Sequence, residues 1–323
     1  MLYYYLPGEG RSINVNLDSI AGISQSPKLT VKLISSTGAR LTTGSIQYYE
    51  GAWKDATSNN DGTFTVNTIA KTLSLRMTYE YGTQTKSNVT VGPDTAVFQT
   101  VNAQIQLKNS QGNLIDTGTV QYYAGAWRNL GTTTNGVAAK ELLPNTYSFR
   151  MTYAGGSNDK QQDIGANSMV VFQTVNAVVQ LKNSLGNLID QGTVQYYAGA
   201  WRSFGTTSNG VTTKELLPNN YSFRMTYEGV SNDKQQDIST NSTVVFSTVL
   251  CTVTVTNSQN QPANNVQVSY YSGAWRQIGS TVNGQVTKEL LPANLTFRIT
   301  YGANHQDKTQ NLSTNSTVSF NIP

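Results

Sequence analysis

The sequence predicts an all-β chain: four tandem seven-stranded immunoglobulin-like sandwiches in a rigid rod, with an N-terminal extension carrying one strand. Three observations predict it. The motif YYxGAW recurs with Trp53, Trp127, Trp201 and Trp275 each 74 positions apart. Within each copy apolar residues alternate with polar ones between turn residues, and no stretch has helical periodicity. The register runs without a gap, which places repeats at 29–102, 103–176, 177–250 and 251–323 and leaves 1–28 outside them. Gly62, Gly136, Gly210 and Gly284 share a column, as do Arg76, Arg150, Arg224 and Arg298. Repeats 2 and 3 differ at 17 of 74 aligned positions, so they are recent duplicates or are kept alike by use, whereas repeat 1 is the most divergent.

Repeat 2 shows each element in turn. Ile105 and Leu107 alternate with Gln104, Gln106 and Lys108, and SQGN closes that strand. Val120 to Ala124 forms a second strand, and Gly125-Ala126 turns the chain so that Trp127 to Thr132 returns as a third. Asn135-Gly136 is a hairpin signal, because both residues tolerate the left-handed backbone that two-residue turns require, and Val137 to Glu141 follows it. Leu142-Leu143-Pro144-Asn145 ends that strand, since proline cannot donate to a central ladder. Tyr147, Phe149, Met151 and Tyr153 give the longest strand one apolar face, with Arg150 and Thr152 on the other. Strands near Lys160 to Ile164 and Met169 to Val175 complete a set of seven, all expected to be antiparallel, in two packed sheets.

The order of strand, xxGN, strand, TTTNG, strand, LLPNTYSF, strand, long loop and closing strand resembles the transthyretin-like or collagen-adhesin B-type surface domains. The resemblance covers all four repeats, about nine tenths of the chain. It implies an immunoglobulin-like sandwich used as a stalk or spacer in surface proteins. In the collagen-adhesin group it would also imply an internal Lys–Asn isopeptide bond promoted by a buried carboxylate. Here the sequence departs from the pattern. Leu107 stands where the inward lysine is expected and Met151 where the acid is expected, with Met77, Met225 and Ile299 in the other repeats. A lysine and a carboxylate would both have to be desolvated at positions this chain fills with apolar side chains, so no isopeptide is expected.

Val175-Asn176-Ala177 passes from a closing strand to an opening one with no Gly/Ser or Pro stretch, so the repeats are expected to stack stiffly. In the extension, Ile13, Val15 and Leu17 alternate with Asn14, Asn16 and Asp18 as a strand would, without an obvious partner nearby in the sequence. That strand either lies on repeat 1 or completes a sheet in a neighbouring molecule. Docking on repeat 4 of the next chain would make a head-to-tail homopolymer, with Ile13, Val15 and Leu17 as its assembly residues.

Composition narrows the function. Only 12% of residues are charged, with 22 Lys+Arg against 18 Asp+Glu, and Ser, Thr, Asn, Gln and Gly supply the surface, as in many extracellular β-proteins. One cysteine and one histidine remove disulfide frameworks, multi-cysteine zinc sites and most acid–base catalysis. No cofactor is expected. Basic residues are spread thinly over the repeats, which argues against a nucleic-acid partner, and no apolar run is long enough to span a membrane as a helix. Cys251 reads as a small packing residue and His305 as a surface residue. Asp159 and Asp163 lie in a stretch too poor in acidic ligands for calcium and read as solvated loop.

Tyr122, Tyr123, Trp127 and Arg128, with their equivalents, form the richest aromatic cluster. Trp127 is expected as a core plug and Tyr122 as an inward strand residue, with Tyr123 and Arg128 outward, and Arg150 lying over an aromatic face. The leading expectation is a non-enzymatic extracellular or cell-surface structural protein, a stalk or filament subunit. The alternative, from another class, is an adhesin that binds host or matrix glycans. It would use Tyr49, Tyr123, Tyr197 and Tyr271 together with Arg128, Arg202 and Arg276.

Overall fold

The computed structural model describes residues 28–323 and, of the first 27, the backbone pairing of Leu2–Tyr5 with Ser12–Val15. Every regular element among the described residues is a β-strand, so no helix there is long and apolar enough to cross a membrane.

Repeat 2 shows the common plan. Its seven strands are Val101–Lys108, Thr119–Tyr123, Trp127–Thr132, Val137–Leu142, Thr146–Tyr153, Gly156–Asp163 and Met169–Gln173. The fourth, first and seventh make one sheet, and the third, second, fifth and sixth make the other. Repeats 3 and 4 repeat this order. The pairing corrects one expectation: the seventh strand lies parallel to the first, with Gln104 opposite Met169 and Lys108 opposite Gln173. A parallel closing strand needs no hairpin, because the chain returns to it from the opposite sheet. A second correction concerns its end. The strand stops at Gln173, and Val175 already opens the first strand of repeat 3.

The period of two decides which residues fill the space between the sheets. Ala103, Ile105 and Leu107 of the first strand and Tyr147, Phe149 and Met151 of the fifth are all buried. Leu107 and Met151, where an isopeptide-forming domain would carry its lysine and acid, are both fully buried apolar residues. Repeat 1 varies the plan at its third strand, which divides into Trp53–Asp55 in one sheet and Thr57–Ser58 in the other. In repeats 2 to 4 that position holds Gly131, Gly205 and Gly279, each at positive φ beside a register shift in the ladder. Thr57 does not adopt that conformation, and in repeat 1 the strand changes sheet instead.

In the extension, Leu2–Tyr5 pairs antiparallel with Ser12–Val15, Leu2 opposite Val15 and Tyr5 opposite Ser12. The strand holding Ile13 and Val15 therefore has a partner ten residues upstream that its sequence did not announce; Leu17 lies outside the described residues.

Candidate functional sites at the junctions and the aromatic face

The expected stiff connection is a single residue long. Repeat 1 closes with Thr95–Gln99 and repeat 2 opens at Val101, so only Thr100 lies between the strands. Thr174 and Thr248 hold the same place at the next two junctions. With so little chain between them, neighbouring sandwiches touch directly, and the same contacts recur three times.

The first recurring contact is apolar. The leucine pair before each proline divides between two domains: Leu142 lies in the core cluster of repeat 2, whereas Leu143 lies in that of repeat 1. Likewise Leu217, from repeat 3 by sequence, is fully buried in the cluster of repeat 2. At the third junction the clusters of repeats 3 and 4 merge, and Leu291 is fully buried within the joint core.

The second contact is a buried tyrosine. Tyr122 donates its hydroxyl to the carbonyl of Glu80 at 3.1 Å, Tyr196 to that of Ala154 at 2.7 Å, and Tyr270 to that of Glu228 at 2.7 Å. Each acceptor sits in the tip of the hairpin between the fifth and sixth strands of the preceding repeat. Burial raises the pKa of Tyr270 to about 12 and that of Tyr122 further still, so both stay neutral donors at any ordinary pH.

The third contact is a carboxylate clamp. Glu141 accepts hydrogen bonds from the Ser36 amide at 3.0 Å, the Ser36 hydroxyl and the Thr100 hydroxyl. Glu215 does the same with Ser110 and Thr174, and Glu289 with Ser184 and Thr248. Burial alone would raise the pKa of Glu141, but the hydrogen bonds from Ser36 and Thr100 outweigh it and hold the carboxyl below its ordinary value. One side chain thus ties a loop of the preceding repeat to the connecting threonine and to its own strand.

The arginines expected to face outward lie at these junctions, where Arg202 and Arg276 are exposed as expected and Arg128 is half-buried. Arg128 stacks on the ring of Tyr81 in repeat 1 with 3.8 Å to the centroid, and its Nε is buried without a partner. Arg202 and Arg276 pass against Gly155 and Gly229, where any side chain on the glycine would collide with the guanidinium. Lys140 and Lys288 add ion pairs with Glu80 and Glu228 at 3.0 and 3.1 Å. Lys214 holds the column of Lys140 and Lys288, and Ala154, in the column of Glu80 and Glu228, offers it no acid. Uncharged clefts of about 620 and 600 Å³ with mixed polar and apolar walls open beside two junctions, lined by residues such as Gln173, Thr174 and Val178 in one and Gln99, Val101 and Ser168 in the other.

The aromatic face stands apart from the junctions. Tyr49, Tyr123, Tyr197 and Tyr271 are each 47–48% exposed and meet the adjacent tryptophan edge to face at 5.4–5.6 Å. The tryptophans correct the core-plug expectation. Trp127 is only half-buried, and Trp275 is 40% exposed. Arg150 lies over the Trp127 ring at 4.1 Å and forms two 2.7 Å bonds to Asp159, an arrangement that Arg224 and Arg298 repeat with Asp233 and Asp307. The side chain of Arg150 covers one tryptophan face, as expected, and the neighbouring tyrosine ring is left to solvent.

Among the described residues no three of His, Cys, Asp and Glu come close enough to hold a metal. Cys251 is fully buried, and desolvation pushes its thiol up to about 12, which removes it as a nucleophile. His305 lies exposed on the sixth strand of repeat 4.

No protein-family model matches this sequence, and no curated protein matches it. Solved structures similar to it include the Bacillus anthracis TIE protein, at 12% identity and a TM-score of 0.25, over 87% of this chain and 65% of that one. A Streptococcal ancillary pilin is 11% identical with a TM-score of 0.23, over 69% of this chain and 99% of that one. BcpA, the major pilin subunit of Bacillus cereus, is 12% identical with a TM-score of 0.20, over 68% and 98%. This chain thus spans just under two thirds of the TIE chain and nearly the whole of both pilin chains. Its own hydrogen bonding defines the fold as four two-sheet, immunoglobulin-like β-sandwiches in series.

Proposed function

We propose that this chain is a non-enzymatic structural protein of the cell surface, in which four sandwiches act as a stiff stalk or filament segment. The observation that carries the reading is the threefold recurrence of the junction: a leucine in the preceding core, a tyrosine on the preceding hairpin and a glutamate clamp, around a one-residue connection. Such contacts do for orientation what a rigid linker does elsewhere. Small-angle scattering of the purified chain tests it. Four repeats of about 35 Å, each set by strands rising about 3.3 Å per residue, make a rod of about 140 Å. A compact particle, or a broad spread of interdomain angles by electron microscopy, overturns the reading.

Head-to-tail polymerisation through the extension is the narrower form of the proposal. Because Ser12–Val15 already pairs with Leu2–Tyr5, the unit donated would be a two-stranded hairpin presenting its free edge. Deleting residues 1–28 should abolish polymers and leave folded four-repeat rods; unchanged polymers in the truncated chain exclude hairpin donation.

The adhesin reading keeps one specific support, the solvent-facing tyrosine ring that stands at the same exposure in every repeat. Flat aromatic faces stack on sugar rings. Replacing Tyr49, Tyr123, Tyr197 and Tyr271 by Ala should lower retention on a glycan array if this face binds, and should leave a purely structural rod unchanged.

A further inference from the structure

We infer that the junction is a matching code between adjacent poles, that repeat 2 carries poles to which a further copy of itself can be added, and that the outer pole of repeat 4 does not accept a further copy. The inference rests on the stalk reading and specifies how its length is set.

Two columns meet at every junction. One lies at the start of the sixth strand of the preceding repeat and holds Gly82, Gly156, Val230 and Asn304. The other lies at the start of the fifth strand of the following repeat and holds Leu73, Tyr147, Tyr221 and Leu295. Tyr147 packs so closely on Gly82, and Tyr221 on Gly156, that any side chain on either glycine would collide with the phenol. Where the glycine becomes Val230, the tyrosine becomes Leu295, and both are buried in the joint core of repeats 3 and 4. Large side chains face glycine and a smaller one faces valine, so bulk on one pole is traded against bulk on the other, as close packing demands.

The charges follow the same logic. Glutamate fills the clamp position in repeats 2, 3 and 4, each of which has a predecessor, and Asn67 replaces it in repeat 1, which has none in this chain. The apolar knob differs likewise: Leu143, Leu217 and Leu291 are fully buried, and their counterpart Ile69 is 86% exposed.

At the outer pole of repeat 4 several receiving positions are changed, although Ser258 keeps the place of Ser36, Ser110 and Ser184. Asn304 stands exposed where Gly82, Gly156 and Val230 are buried. Ile322 replaces the connecting threonine. The hairpin tip changes too: Ala154 and Gly155 are both left-handed, as are Glu228 and Gly229, but in repeat 4 only Gly302 is. Asn158 and Asn232 reach across to the carbonyls of Pro218 and Pro292 at 3.0 and 2.8 Å. Gln306, which shares its column with Gln84 of repeat 1 and so does not by itself mark an end, turns back to the Tyr301 hydroxyl and the Asn321 carbonyl of its own repeat, both at 3.2 Å. A polar pole that satisfies its own hydrogen bonds offers a further repeat of this kind neither the apolar socket nor the cross-junction bonds of the inner poles.

Two full-length insertions test this. In one, residues 103–176 are duplicated in place, which sets Gly156 against Tyr147; in the other, residues 250–323 are duplicated at the end of a Pro323→Val chain, which keeps the 74-residue spacing and sets Asn304 against Leu295. The first should extend the scattering dimension by one repeat, remain a stiff rod and resist proteolysis at the new junction. The second should add a fifth sandwich that swings freely and is cut at the new junction at least tenfold faster. Asn304→Val with Ile322→Thr in the second chain should restore the stiff rod and slow the cut. If the added fourth repeat docks as firmly as the added second one, or if the added second repeat swings, the code is wrong. If the double substitution does not restore docking, Asn304 and Ile322 are not what bars a further copy. A parent chain that is itself flexible would overturn the stalk reading, whereas failure of the insertions alone would overturn only the code.

Discussion

Replacing Leu217 by alanine should damage a repeat to which Leu217 does not belong by sequence. The side chain comes from repeat 3, yet it is fully buried in the cluster that holds Ile105, Leu107 and Phe172 of repeat 2. Truncating a buried leucine costs about 2–5 kcal/mol, from the lost transfer free energy plus the cavity left behind. The site joins two bodies that can close up on the gap, so the lower half of that range applies, about 2–3 kcal/mol. Its neighbour Leu216 is an internal control, being equally buried but in the cluster of repeat 3. Native-state hydrogen exchange followed by mass spectrometry separates the two. Leu217→Ala should speed exchange in Val101–Lys108 and Met169–Gln173 of repeat 2 by about 30- to 160-fold, the factor that 2–3 kcal/mol implies when each 1.36 kcal/mol is tenfold. Leu216→Ala should speed it in Val175–Lys182 of repeat 3 instead. If both variants loosen only repeat 3, or if Leu217→Ala changes exchange less than threefold, the leucine is not a cross-domain knob and the junction is weaker than described.

Three further outcomes are expected. Glu215→Ala removes the acceptor for the Ser110 amide, the Ser110 hydroxyl and the Thr174 hydroxyl; it should lower the unfolding free energy by about 2 kcal/mol, the scale for charged hydrogen bonds, and increase bending between repeats 2 and 3 in scattering. Gly136→Val should cost about 1 kcal/mol or more in thermal unfolding, because Gly136 sits at φ +74 and a Cβ there meets Leu114. Burial raises Tyr147, Tyr221 and Tyr270 to about 12 from an unfolded value near 10. Their contribution is therefore complete below about pH 10 and is lost as pH rises from 10 to 12, by about 3 kcal/mol for each group; unfolding followed by tyrosinate absorbance should fall in that window, and stability that is flat to pH 12 would refute it.

Much of the sandwich was legible because it depends on local rules. Asn135-Gly136 predicts a left-handed turn, and φ is +50 and +74 there, with matching values at Asn209-Gly210 and Asn283-Gly284. Alternation placed Tyr122 inward and Tyr123 outward for the same reason. Trp127 was misread because size and hydrophobicity argue for the core, whereas its position after the Gly125-Ala126 turn puts it on an edge strand, where Arg150 covers it. The parallel closing strand was hidden because a period of two says which face a residue takes and nothing about strand direction. The junction partners were hidden by distance: Ser36 meets Glu141 across 105 positions, and so do Ser110 with Glu215 and Ser184 with Glu289. One signal could have exposed them. The clamp column reads Asn67, Glu141, Glu215 and Glu289, and a residue conserved in every repeat except the first belongs to a contact with the repeat before.

The few differences between repeats 2 and 3 then acquire a direction. Gly156 becomes Val230 at the outer pole, and the facing residue of the next repeat changes from Tyr221 to Leu295. Ala154 becomes Glu228, and the facing lysine then has an acid to pair with, as Lys288 does and Lys214 does not. Neighbours that vary together make the order of repeats part of the fold, and a chain with repeats 2 and 3 exchanged should be less stable than the natural one. Exchange would set Val230 against Tyr147, adding a side chain where the phenol already fills the space, and Gly156 against Leu295, leaving a void. Overpacking of this kind costs about 1–3 kcal/mol, and the void adds about 1 kcal/mol for each methyl-sized gap. Every repeat keeps its own core in the exchanged chain, so the loss should appear as earlier opening at the second and third junctions, with strand content by circular dichroism unchanged. A chain that unfolds within about 0.5 kcal/mol of the natural order, with both junctions equally resistant to protease, would show that the paired changes are drift.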